Sequence, residues 1–172
     1  MAATVQARIF TGASEGTGAN AETGIKFNRD DTATGTTAPI PKPVATGTAF
    51  SWPKTLGLYV TAGGGSTTIS NRRIKLSTAP ATGLELHFNP ETTYAQATAV
   101  AAADTGTNGS DPAGYTALTT SDQVWHATGE AATNSDRNGD LVLVALGVSN
   151  NYAGGAGTAI ALPDIILTYD EA

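Results

Sequence analysis

The segment Leu141–Val148 constrains this chain more than any other. It is an apolar run of strand length in which Leu141, Leu143 and Ala145 alternate with Val142, Val144 and Leu146. Successive side chains of a strand point to opposite faces, so a run that is apolar at both parities predicts a strand covered on both sides. The remaining residues decide what can cover it. Threonine, alanine and glycine contribute 28, 30 and 20 of the 172 residues. Small and hydroxyl-bearing side chains suit thin sheets joined by turns and polar loops, and helical bundles need longer straight-chain residues. Hydrophobic residues make up 40%, but much of that is alanine. The core is therefore expected to be thin, and burial by neighbouring copies is an expected source of stability.

Further strands are predicted at Val5 to Phe10 (a strand or an ordered arm), Ile25 to Asn28, Phe50 to Ala62, 67–77, Leu84 to Phe88, Gln123 to Ala127 and Ile165 to Tyr169. In the third of these, Trp52, Leu56, Leu58 and Val60 share one parity and should face the core. Lys54 interrupts that pattern beside Pro53, which places the start of the buried part at Thr55. Pro39, Pro41 and Pro43 favour extended backbone lying along a surface. Pro163 places the last strand at a sheet edge. The alanine-rich stretch 91–103 is the best helix candidate by propensity, although few large apolar side chains anchor it. Asn138-Gly139-Asp140 reads as a turn entering the long apolar strand.

Strands without alternating helices exclude a doubly wound parallel sheet. The expected fold is all-β: an antiparallel β-sandwich, jelly-roll or immunoglobulin-like, with an extended amino-terminal arm and long loops. Residues 1–49 are expected to form the arm and Pro/Thr/Gly-rich loops, packing on the domain or on neighbours. Residues 50–172 are expected to form the sandwich.

The net charge is −6, with nine Lys and Arg scattered except for Arg72 and Arg73. That balance argues against nucleic acid, whose phosphates require clustered cations, and against anionic membrane. Absence of cysteine excludes disulfides and thiolate metal sites. The stretch from Met1 to Arg8 does not read as a secretory signal, and no run approaches the roughly 20 apolar residues of a membrane span. Synthesis and assembly in a cytoplasm is the expectation.

Several patterns invite chemistry. Gly12-Ala13-Ser14-Glu15-Gly16 matches a nucleophile elbow, but Thr17-Gly18-Ala19-Asn20 is poor material for the helix that must follow. Residues 134–140 space oxygen donors as a calcium loop does, yet Ala145 stands where the bidentate carboxylate belongs. His87 and His126 read as hydrogen-bonded strand residues. Glu85 and Glu91 make a glycosidase pair only if held about 5 to 9 Å apart. Asn108-Gly109-Ser110 matches a glycosylation acceptor. The expectation is therefore no catalytic residue, no cofactor and no metal.

The stretches Ala-Arg-Ile-Phe-Thr-Gly-Ala at 7–13, Glu-Thr-Gly-Ile-Lys-Phe-Asn-Arg-Asp-Asp-Thr at 22–32, 39–52 from Pro-Ile-Pro-Lys-Pro to Phe-Ser-Trp, and Ile-Ile-Leu-Thr-Tyr-Asp-Glu at 165–171 resemble structural proteins of tailed bacteriophages. The resemblance implies a virion component built from β-sandwiches, most simply a capsid decoration or cementing subunit. Its partners would be the major capsid protein, other virion subunits and copies of itself. The alternative is a tail-associated module that binds a receptor or carbohydrate. The interface residues expected from the arm and loops are Val5, Ile9, Phe10, Ile25, Phe27, Tyr115 and Tyr152.

Overall fold

The computed structural model describes residues 2–21, 24–33, 39–63, 67–99, 114–133, 136–154 and 160–172. They form an all-β structure of two antiparallel sheets packed as a sandwich. The strands are β1 (Thr4–Phe10), β2 (Ala19–Asn20), β3 (Thr48–Phe50), β4 (Lys54–Ala62), β5 (Thr68–Leu76), β6 (Leu84–Glu91), β7 (Thr116–Ala117), β8 (Gln123–His126), β9 (Glu130–Ala131), β10 (Asp136–Ser149) and β11 (Ile165–Glu171). The larger sheet runs β2-β1-β4-β10-β6-β7, with β3 also on β10. The smaller runs β11-β5-β8, with β9 also on β5.

The long apolar run lies in β10, between β4 and β6. Val142, Val144, Leu146 and Val148 join one core with Leu56, Leu58 and Val60 of β4 and Ile69, Ile74, Leu76 and Trp125 of the smaller sheet. On the opposite face Ala145 packs with Phe50, and Leu141 and Phe10 lie over Gly57. A Cβ at Gly57 would stand 3.1 Å from Leu141 Cδ2 and 3.2 Å from Phe10 Cε2, so glycine makes room for both. Both faces of the strand are covered, as its two apolar parities predict.

β3 and β4 follow the same side of β10, interrupted at 51–53. Pro53 has no amide to donate. Ser51 bridges the gap: its N–H donates to Leu146 O (2.8 Å), and its Oγ accepts from Leu146 N (3.0 Å). Trp52 is turned to a half-buried position, and its N–H donates to Asn28 O (2.9 Å).

Several expectations are corrected. β1 is hydrogen-bonded along β4 from Val5↔Val60 to Phe10↔Thr55, and the boundary drawn at 49/50 falls inside β3. The amino-terminal segment thus packs on the domain, supplying β1 and β2 to the larger sheet. Ile25 to Asn28 is not a strand; Lys26 N donates to Ala33 O (3.0 Å) and closes a loop, while Ile25 and Phe27 pack against the core. Residues 92–99 carry no helix, and 100–103 lie outside the described residues. Alanine supplies helix propensity but no apolar face, and short helices depend on packing for stability. Lys54 does not break the buried stripe. It is 1% exposed, at the first position of β4.

Candidate functional site

Both sheets are irregular where they meet at one end of β10. Ser70 pairs with Asp170 and Arg73 with Thr168, three steps along β5 against two along β11. The extra residue is a bulge, with Asn71 at φ 46°. It turns Arg72 onto the inner face with Ile69, Ile74 and Leu76. In β10, Asn138 pairs with Leu58 and Val142 with Leu56, four steps against two. Gly139, at φ 81°, absorbs that bulge. The turn signal Asn138-Gly139-Asp140 is thus a kink inside β10, not a turn before it.

The two bulges face each other through Arg72, whose side chain is wholly buried. Its Nη1 donates to Thr128 O (2.8 Å) and its Nη2 to Asn138 Oδ1. Burial pulls the guanidinium below its ordinary pKa, while Glu130 and Asp140 pull it back up. Asn138 Nδ2 donates onward to Ala131 O (3.0 Å), and Gly139 N to Glu130 Oε2 (2.7 Å). Trp125 Nε1 donates to Asp140 O (3.1 Å). His126 sits between two carboxylates, with Nδ1 2.7 Å from Asp140 Oδ2 and Nε2 3.2 Å from Glu130 Oε1.

A polar cleft of about 600 Å³ opens beside this network, walled in part by Glu15, Tyr59, Glu130, Asp136, Arg137 and Asp140. Arg137 donates to Glu15 and to Gly139 O, which ties the 11–18 loop to the bulge. The cleft thus combines carboxylates with one paired guanidinium, a set suited to polar contacts. Among the described residues, no group of three or more His, Cys, Asp or Glu is placed to hold a metal ion. Asn134 and Ser135 of the calcium-like stretch lie outside the described residues. Asn138 and Asp140 face Arg72 and His126 instead of a common centre.

The other chemical candidates separate. Ser14 is exposed in an irregular loop that leads into the short strand Ala19–Asn20. Glu85 and Glu91 lie six residues apart on one strand, about 20 Å, which is too far for a glycosidase pair. His87 is 1% exposed, with Nε2 3.5 Å from Glu85 Oε2 and its ring edge-on to Phe50. That partnership holds the Glu85 carboxyl below its ordinary pKa. Asn108 lies outside the described residues.

Among the expected interface residues, Ile9 and Phe10 are each 1% exposed, taken up by the domain's own packing. Val5, Ile25 and Phe27 are partly buried against the core between the sheets. Tyr152 packs against that same core, whereas Tyr115 packs against Phe50 and Ala145 on the far face of the larger sheet. Burial pushes the Tyr115 hydroxyl well above its ordinary pKa. The two tyrosines do not share a patch. Arg72, Asn138 and Lys54 were not among the expected residues. The available signal was parity: Arg72 shares it with Ile74 and Leu76, and Lys54 shares it with Leu56 and Leu58.

Comparison with protein-family models, with curated proteins and with solved structures finds no match to this chain.

Proposed function

We propose that this chain is a non-enzymatic structural subunit of a tailed-bacteriophage virion, decorating or cementing a repeating capsid lattice. The observation that carries this reading is Val44, fully exposed on the stretch 39–47 that also contains Pro39, Pro41 and Pro43. Proline-spaced backbone has little freedom to lose on docking, so an apolar side chain held there binds at low entropic cost. Lys42 ties the stretch to the sandwich, its Nζ donating to the backbone oxygens of Tyr152 and Gly154. Burial of such a side chain in the centre of a contact is the usual anatomy of subunit interfaces. The internal engagement of Arg72, His126, Glu130 and Asp140 supports a passive role, because these groups hold strands together. The partner in this reading is the major capsid protein or another virion subunit, with further copies of the chain alongside. Assembly takes place in the host cytoplasm.

The test is particle occupancy. Purified particles carrying Val44→Asp should hold far fewer copies of the protein, while the free variant melts as the unmodified chain does. Full occupancy in the variant refutes the contact, and absence of the protein from particles altogether refutes the assignment.

A further inference from the structure

Lys54 and Asn28 form a second buried polar site, unrelated to the bulges and independent of the virion assignment. They are 1% and 3% exposed. Lys54 Nζ donates to Asn28 Oδ1 at 2.6 Å, and from other directions to the backbone oxygens of Asp30 (2.5 Å) and Thr32 (3.0 Å). An amine is thereby held in contact with a carboxamide whose carbon lies one C=O bond, about 1.2 Å, beyond the accepting oxygen.

We propose that Lys54 and Asn28 are a covalent modification site, joined by a self-formed isopeptide bond between Lys54 Nζ and Asn28 Cγ that staples the 24–33 loop to β4. Position is the first argument. Fixing a nucleophile against its electrophile removes most of the entropic barrier to a bimolecular step. The amine's state is the second. Burial lowers the Lys54 pKa, against the opposing pull of Asp30 and Asp31, so the neutral nucleophile is more accessible than on a surface lysine. The leaving group is the third. Asn28 Nδ2 donates to Thr32 Oγ1 (3.3 Å), and Thr32 Oγ1 donates to Asp30 Oδ1, so the departing nitrogen is already wired to a carboxylate. Thr32 N also donates to that Oδ1 (3.0 Å), and one Asp31 oxygen accepts from Gly12 N (2.7 Å), so Asp30 is the carboxylate at the end of the Thr32 relay.

The step balances without any other reactant. One proton leaves the Lys54 ammonium for the Asp30 carboxylate. The freed lone pair forms the Nζ–Cγ bond, and the proton on Asp30 passes through the Thr32 hydroxyl to Nδ2. The Cγ–Nδ2 bond breaks, neutral ammonia leaves, and the second Nζ proton is taken up by the Asp30 carboxylate as the amide forms. Each chain reacts once, so a slow step suffices.

Mass spectrometry of the purified full chain decides the matter. The expected intact mass is lower by one ammonia than the sequence requires. Trypsin should fail to cut after Lys54 and should release a branched peptide with Phe27-Asn28-Arg29 attached there. Lys54→Arg should restore the full mass. Because that variant also disturbs the contacts to Asn28, Asp30 and Thr32 on which folding draws, Asp30→Asn provides a second test: it keeps the amine and carboxamide and should also retain the full mass. An unmodified chain that keeps its full mass and is cut after Lys54 overturns the proposal. A branched peptide in Asp30→Asn supports the bond and overturns the role of Asp30.

Discussion

Arg72 and Gly139 meet across the sandwich so closely that a Cβ on the glycine would lie 2.5 Å from the guanidinium carbon. The bulge of one strand thus provides the space that the bulge of the other fills. Gly139→Ala must either push Arg72 aside or abandon its positive φ, at a cost of about 1–3 kcal/mol in urea denaturation. Gly12→Ala is the control. Its φ is also positive, but nothing lies within 4 Å of the added Cβ, so about 1 kcal/mol is expected. Equal losses in the two variants would remove the packing argument.

Arg72→Ala should be among the costliest single changes in the chain. It leaves Thr128 O and Asn138 Oδ1 without their donor and opens a cavity between the sheets. Together these effects amount to about 3–5 kcal/mol. A double-mutant cycle with Asn138→Ala should show coupling of about 1 kcal/mol or more. Additive losses would mean that the pair does not act as a unit.

Acid should loosen β11 late. Hydrogen bonds from Arg73 and then Asn71 hold the Asp170 carboxyl below its ordinary pKa. A carboxylate whose folded pKa is depressed contributes stability that is complete above its unfolded pKa and is lost as pH falls through the folded value. Amide exchange in β11 should therefore accelerate only below the ordinary aspartate range. Asp170→Asn should flatten that acid limb; an identical pH profile in the variant would count against Asp170 as its source.

Removal of residues 1–24 should destroy the fold rather than release a tether. The deletion strips β1 from β4 and uncovers a bare edge beside the core residues Leu58 and Val60. Aggregation on size-exclusion chromatography is the expected outcome, and a soluble truncated monomer with a cooperative melt contradicts it.

The fold class was legible because β10 declares itself: two apolar parities on one strand demand a layer on each side. Antiparallel pairing and the positions of β4, β5, β6, β8 and β11 followed from alternation and turn residues. The inward turn of Arg72 was not legible. Parity with Ile74 and Leu76 pointed inward, while its charge pointed outward, and only partners distant in sequence decide between them. Lys54 misled for the same reason, since its acceptors lie in the 28–32 loop. The polar cleft was invisible because its wall joins Glu15 to Glu130, Asp136, Arg137 and Asp140, a proximity created by β1 and β10 flanking β4.

The path from Val44 into the domain is short. The stretch 39–47 leads directly into β3, and β3 is bonded to β10, the strand at the heart of the larger sheet. A tug on the tip therefore enters at the centre of the fabric rather than at its hem. β10 is flanked in turn by β4 and β6, so the stretch is anchored to an interior strand of the sheet.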